Sequence, residues 1–336
     1  MRITRRHILA LTAAAVHPLT RAFGASFDVD RLLDTNAASH AGAGCSVELR
    51  KYTASATVML FSIPIVSRPS VGSGYAVVEK ASRTLALQFG AGSYPESAHG
   101  LNRLGFIQEA VVEELPGQPV ESAWLAFMTT SKEANLDQAK RALEASGEMA
   151  PYSASQGYGF RGRFRSRVDR LEFPSRYTWR DITDLVEKAR GSMTALSGEE
   201  PRAGSNRPEK AATFLYLVRQ AILDRNPRTT SSLIFNAREF QLETQKESDA
   251  AATEHFAGKK LVPADGSVIR INAVLTEKKT GIRTPFRVWC EAGADRCLPL
   301  RFEYQARSFL RLTFEADAKA GAPPIRFAFQ SSKENA

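Results

Sequence analysis

At 336 residues and 43% apolar composition, the chain can bury one large core or two smaller ones, which excludes a wholly disordered protein. Three cysteines are too few for a disulfide scaffold, and no apolar run reaches the roughly eighteen residues that a membrane-crossing helix needs, so the mature chain is expected to be soluble with no transmembrane span. The formal charge of +9 falls to +5 once a leader carrying Arg2, Arg5, Arg6 and Arg21 is removed (41 basic against 36 acidic residues), a balance that does not indicate a nucleic-acid partner.

Residues 1–25, MRITRRHILALTAAAVHPLTRAFGA, join a cationic start, a short apolar stretch from Ile8 to Leu19 and small residues near Ala22, Gly24 and Ala25. That is an export signal and predicts a periplasmic location. Thr4-Arg5-Arg6-His7-Ile8-Leu9 resembles the twin-arginine signal, with Ile8 in place of the usual Phe; the general secretory route is the alternative. Ala43-Gly44-Cys45 looks like the tail of a lipobox, but Gly42 stands where a Leu-like residue is wanted and Cys45 lies far past the apolar stretch, which argues against a lipid anchor. Residues 26–44 read as a loose leader.

Residues 45–190 read as a β-rich first lobe with two helices. Strands are expected at Val47 to Phe61, Gly74 to Val78, Thr84 to Phe89, Ile107 to Leu115 and Ala123 to Met128, separated by Gly, Pro and Ser at the spacing of an antiparallel sheet. Thr130 and Glu133 make a capping box ahead of a helix over 133–145. The spacing of Ile182, Leu185, Val186, Ala189 and Met193 predicts a second helix from Trp179 to Arg190. Residues 191–207, polar with Gly and Pro, form a linker.

A second lobe, 208–316, opens with a helix capped by Asn206, with Pro208 in its first turn, one apolar face through Ala211, Phe214, Leu215, Val218 and Ile222, and Asn226-Pro227 as its stop. Strands follow at 233–235, 240–244, 253–256, 268–275, 286–291 and 298–314. In the last, Leu298, Leu300, Phe302, Tyr304, Leu310, Leu312 and Phe314 share one parity and charged residues the other, so one face is core; the stretch exceeds a typical strand and must turn near Gln305 to Phe309 or curve strongly. Residues 317–336 are a tail with room for a last strand. The fold class expected is α+β, mainly β: an antiparallel curved sheet or open barrel with about three helices.

Cys290 and Cys297 flank Gly293. A hairpin centred between Gly293 and Ala294 sets them opposite one another, and a disulfide there would contribute about 2.5 kcal/mol in the chain-entropy model. Two reduced cysteines are the alternative. A metal or redox site has no support, since there is no Cys-x-x-Cys and His40, His99 and His255 lie in unrelated segments.

Phe214-Leu215-Tyr216-Leu217-Val218-Arg219, Gly258-Lys259-Lys260 and Val288-Trp289 followed by Leu298-Pro299-Leu300-Arg301-Phe302-Glu303 resemble a bacterial family of exported proteins classified as a domain of unknown function. The resemblance covers most of the chain after Cys45 and is more specific after Phe214. It implies an envelope location and an antiparallel, barrel-like fold, and it brings no known activity. The cysteine pair is not part of that family's pattern, and Gln305 to Leu310 replaces its usual Gly-containing turn.

The search for chemistry singles out no catalytic residue, cofactor or metal ligand. Gly72-Ser73-Gly74 and Gly90-Ala91-Gly92-Ser93 lack the spacing of a nucleophile elbow or a dinucleotide loop and read as turns between strands. Glu113-Glu114 and Glu199-Glu200 read as solvated loop ends. The polar loop 93–105, with His99 and Arg103, has the density of a binding site. In Phe160 to Val168 a period of two sets Arg161, Arg163, Arg165 and Arg167 on one strand face and Phe160, Phe164 and Val168 on the other, a row that acidic neighbours, water or an anionic partner must neutralise. The functional expectation is a non-catalytic envelope binding or assembly protein for a lipid-like or anionic polymer ligand. The alternatives are a periplasmic hydrolase with a site near His99 and a structural subunit of an envelope complex.

Overall fold

The computed structural model describes residues 46–60, 63–98, 100–130, 149–161, 163–193, 202–203, 212–236, 238–293, 298–307, 310–321 and 323. Eight strands precede residue 204: β1 (Ser46–Leu60), β2 (Ile63–Ala81), β3 (Thr84–Ser93), β4 (Leu104–Leu115), β5 (Gln118–Thr129), β6 (Met149–Phe160), β7 (Arg163–Pro174) and the two-residue β8 (Arg202–Ala203). Six more follow: β9 (Arg228–Phe235), β10 (Arg238–Ser248), β11 (Val268–Glu277), β12 (Arg283–Glu291), β13 (Arg301–Arg307) and β14 (Leu310–Ala316). They form one sheet in the order β8 to β1 and then β14 to β9, every neighbouring pair antiparallel. All pairings but one join strands adjacent in sequence. The exception, β1 with β14 from Tyr52↔Ala316 to Val58↔Leu310, makes the segments before and after the linker a single sheet.

The sheet curls into a nearly closed barrel. Its far strands meet where Trp124 of β5 packs on Phe235 of β9, ring centres 5.7 Å apart, and where Ser155 of β6 hydrogen-bonds Asn236. On one face Tyr75, Val77, Phe106, Leu125, Phe127 and Tyr152 pack under Trp179 and helix α1 (Ile182–Ser192), whose Ile182, Leu185 and Ala189 point down. On the other, Tyr52, Ala76, Val78, Leu85, Leu87 and Val111 pack against helix α2 (Phe214–Leu223) and the inner residues of β9 to β14. Strand β2 is therefore covered on both sides from Val71 to Glu79, which is why its sequence there is almost continuously apolar rather than alternating. Each large side chain so buried contributes about 2 kcal/mol.

Several expectations are corrected. The second-lobe helix starts at Phe214, after an extended Thr213 (φ −110°, ψ 171°), and not near Pro208, because its cap comes from another strand. Residues 253–256 are helical: Asp249 accepts from the Ala252 N–H and starts helix α3 (Ala250–Gly258), and this local cap outweighs the β-branched and aromatic residues that suggested a strand. The stretch 160–168 is two strands, with Arg161 at the turn in a left-handed conformation (φ 44°) and Phe160 paired with Arg163, so Phe160 lies on the arginine face. The turn expected near Gln305 to Phe309 is present, as Arg301 to Ala316 is a hairpin turning after Arg307 with Phe302↔Phe314 and Tyr304↔Leu312 in register; what is corrected there is the core face, buried at Phe314 but open to solvent at Tyr304.

The hairpin register expected around Gly293 is corrected too. β12 and β13 pair Trp289↔Arg301 and Val288↔Phe302, a register that sets Leu300 across from Cys290. Pro299 has no N–H to give a ladder, so pairing resumes only with the Leu300 N–H on the Trp289 carbonyl, and the connection is longer than a tight hairpin. Cys290 is a free, buried thiol; Cys297 lies outside the described residues. So do the leader, the helix expected over 133–145, His99 and residues 324–336 of the tail.

Candidate functional site

The two predicted sites do not converge. β7 has twelve residues and is therefore about 36 Å long, with the arginines at its start. The polar loop docks past its end, where Asn102 Nδ2 donates to the Tyr177 carbonyl at 2.6 Å and to the Ser175 carbonyl at 3.3 Å. Arg103, next to Asn102, lies there too. Acidic and aromatic neighbours receive the arginines: Arg167 Nε donates to Asp169 at 2.8 Å, Arg165 lies by Tyr158, which donates to Glu121 at 2.8 Å, and Arg161 stacks on Phe160 at 5.4 Å. Of Arg163 only the backbone is described, paired with Phe160 and Ala203.

The loop is held by a buried indole. Trp179 Nε1 donates to Ser73 Oγ at 2.9 Å, and Ser73 shares a 2.6 Å hydrogen bond with the Tyr94 hydroxyl. The glycines read as turns lie instead inside β2 and β3, and the two in β3 make a flat floor under Trp179: a Cβ on Gly92 would stand 2.5 Å from Trp179 Cβ, and one on Gly90 2.7 Å from the indole edge. Glu96 pairs with Arg180, whose hydrogen bond holds the carboxyl below its usual range, and Arg180 lies over the Tyr94 ring at 4.9 Å. These polar groups serve to pin the loop.

Two acids on the core parity of β4 hold α2. Glu109 is fully buried and accepts from the Thr213 hydroxyl, the Leu215 N–H at 2.9 Å and the Tyr216 N–H at 3.0 Å, capping the helix from a neighbouring strand. Burial pushes its carboxyl up to about 7, against the pull of those donors. Glu113 is buried, not a solvated loop end: it accepts from the Tyr216 hydroxyl at 2.7 Å and the Gly117 N–H at 3.0 Å. Sequence reasoning did not single out Glu109 and read Glu113 as solvated, although Ile107, Glu109, Val111 and Glu113 share one parity, which sets two charges in an apolar row.

A second charged cluster seats α3. Asp249 also accepts from Trp289 Nε1 at 2.9 Å, and that hydrogen bond leads in holding its carboxyl low. Burial pushes the Glu315 carboxyl up, but hydrogen bonds from Lys259, His255 and Arg301 outweigh it and bring the group down to about 2. Arg301 lies over both Phe256, at 5.2 Å, and Trp289, at 5.4 Å. The Cys290 thiol, packed among Ile222, Ile271 and Val288, is pushed up to about 12 by burial and is not a nucleophile at neutral pH.

The apolar hollow between α2 and β10 to β12, lined by Val218, Leu242, Ile271 and Phe286 among others, has a free volume of about 10 Å³, room for about one water and not for an acyl chain. The apolar surface lies elsewhere. At the end of the β1–β2 hairpin, where β2 runs beyond β3, Val58, Ile63, Ile65 and Val66 are 45%, 62%, 57% and 58% exposed. No helix among the described residues is long and apolar enough to cross a membrane.

No family model matches the chain, and no curated protein matches it. Among solved structures, it is similar to the crystal structure of a beta-barrel-like protein of the domain of unknown function DUF1849 from Brucella abortus, with 9% identity, a TM-score of 0.39, and coverage of 80% of this chain and 95% of that one.

Proposed function

We propose that this chain is an exported, non-catalytic protein of the cell envelope that works by surface contact, binding or assembling other envelope components. The observation that carries the reading is the exposed aliphatic arm at the end of the β1–β2 hairpin, since contiguous apolar surface of this kind marks interaction sites in folded proteins. The twin-arginine-like first residues favour a periplasmic location. Three polar features that could have served catalysis, the 93–105 loop, the Glu109–Glu113 pair and the α3 cluster, are engaged in hydrogen bonds that hold the fold together.

The test is fractionation of cells making the full chain beside a variant in which Ile63, Ile65 and Val66 are all Ser. The proposal expects the processed chain outside the cytoplasm and enriched with the envelope, and the variant exported but no longer retained. An unprocessed cytosolic chain, or equal retention of the variant, would overturn it. The same arm also suits a structural subunit of an envelope complex, which would appear as a native-gel species of fixed stoichiometry.

A further inference from the structure

We propose that the arm docks the chain on an anionic lipid bilayer, its aliphatic side chains entering the headgroup boundary and its flanking cations meeting lipid phosphates. This rests on the envelope reading above and names the partner of the same surface. The apolar face continues outward from the core. Ala54 and Phe314 are buried; one step along the same parity, Ala56 pairs with Leu312, and beyond them Val58 stands between Leu310 and Val66 at the exposed rim. Ile63 and Ile65, of opposite parity to Val66, are exposed on the other face of β2, so the end of the hairpin offers aliphatic side chains on both faces.

Two features select a bilayer over another polypeptide strand. From Ile63 to Val71 the outer edge of β2 has no strand partner among the described residues, since pairing with β3 begins at Gly72. Pro64 and Pro69 interrupt that edge and remove donors that strand addition requires, so side chains and not the backbone are what the arm offers. The charges supply the second. In a chain with 36 acidic residues, no acid occurs from residue 49 to 78 or from 304 to 314, the stretches that run to this rim; Arg68 stands across from Ala56, and Arg311, across from Thr57, reaches the Glu303 carboxylate at 3.9 Å. Arg68 is exposed directly below the aliphatic tip. Exposed aliphatic residues beside Arg68, on a hairpin end whose own strand segments carry no acid, match the boundary of an anionic membrane, where buried apolar area and headgroup attraction add.

The test uses the full mature chain and vesicles of phosphatidylcholine with or without phosphatidylglycerol, read by co-sedimentation. Binding is expected on the anionic vesicles, weakened about tenfold or more by Ile63→Ser with Ile65→Ser, and weakened and made less salt-sensitive by Arg68→Gln. Arg165→Gln with Arg167→Gln, far along the sheet, should leave it unchanged. Ile65→Trp adds an exposed indole to a chain whose described tryptophans are buried, so its emission should shift to the blue and be quenched by brominated lipid on binding. Circular dichroism checks that each variant folds. Absence of vesicle binding, binding indifferent to the arm variants, or loss through the β7 arginines alone would overturn the lipid inference. If envelope retention persists in cells while vesicle binding fails, only the lipid partner is wrong; if both fail, the envelope reading goes with it.

Discussion

Replacing Glu109 by Gln keeps the shape of the group that caps α2 and removes its titration. In the folded chain burial raises this carboxyl from 4.5 to about 7. The folded state therefore holds the proton more tightly than the unfolded state, so the group's contribution to stability is complete below pH 4.5 and is lost as the pH rises through about 7. That separation corresponds to about 3 kcal/mol. Glu315 acts with the opposite sign in another window: lowered to about 2, it contributes fully above its ordinary 4.5 and loses that contribution as the pH falls toward 2. Urea unfolding followed by circular dichroism on wild type and Glu109→Gln, across roughly pH 4.5 to 8, isolates the effect. The variant should gain about 3 kcal/mol relative to wild type over that span. A stability difference that stays constant with pH would refute the burial argument for Glu109.

Three further outcomes are expected. Gly92→Ala should cost about 1–3 kcal/mol, seen as a lower urea midpoint, because the new Cβ would lie 2.5 Å from Trp179 Cβ; an unchanged midpoint would show that the indole does not need this floor. Asp249→Ala should cost about 1–2 kcal/mol and alter Trp289 fluorescence by removing the α3 cap and the indole's acceptor, with Asp249→Asn milder; equal losses in the two variants would argue against the cap. Cys290 should resist maleimide in the native protein and react once denatured without reductant, as read by mass; a need for reductant would reinstate a bridge.

The antiparallel sheet was legible because period-two alternation is local: β1, β3, β4 and β5 lie close to the stretches their residue pattern predicts. What failed depends on partners distant in sequence. The α2 boundary moved because its cap, Glu109, comes from β4, and the Cys290 hairpin shifted register because Pro299 postpones pairing until Leu300. The Arg161 to Arg167 row looked continuous because nothing in its alternation marks a turn at Arg161, where an arginine takes a left-handed conformation. Gly90 and Gly92 carried no sign of Trp179, which lies far along the chain. For the arm, Ile63 to Val66 has the composition of a core strand, and only the strand pairing reveals that β3 stops short of it.

The most direct measurement is photocrosslinking in living cells from a diazirine side chain at Ile65, with Val168, an exposed apolar residue on β7, as the comparison position. Contact with the membrane through the arm predicts adducts of phospholipid mass at Ile65 and few or none at Val168. Adducts to protein at Ile65, or equal lipid labelling at both positions, would contradict it.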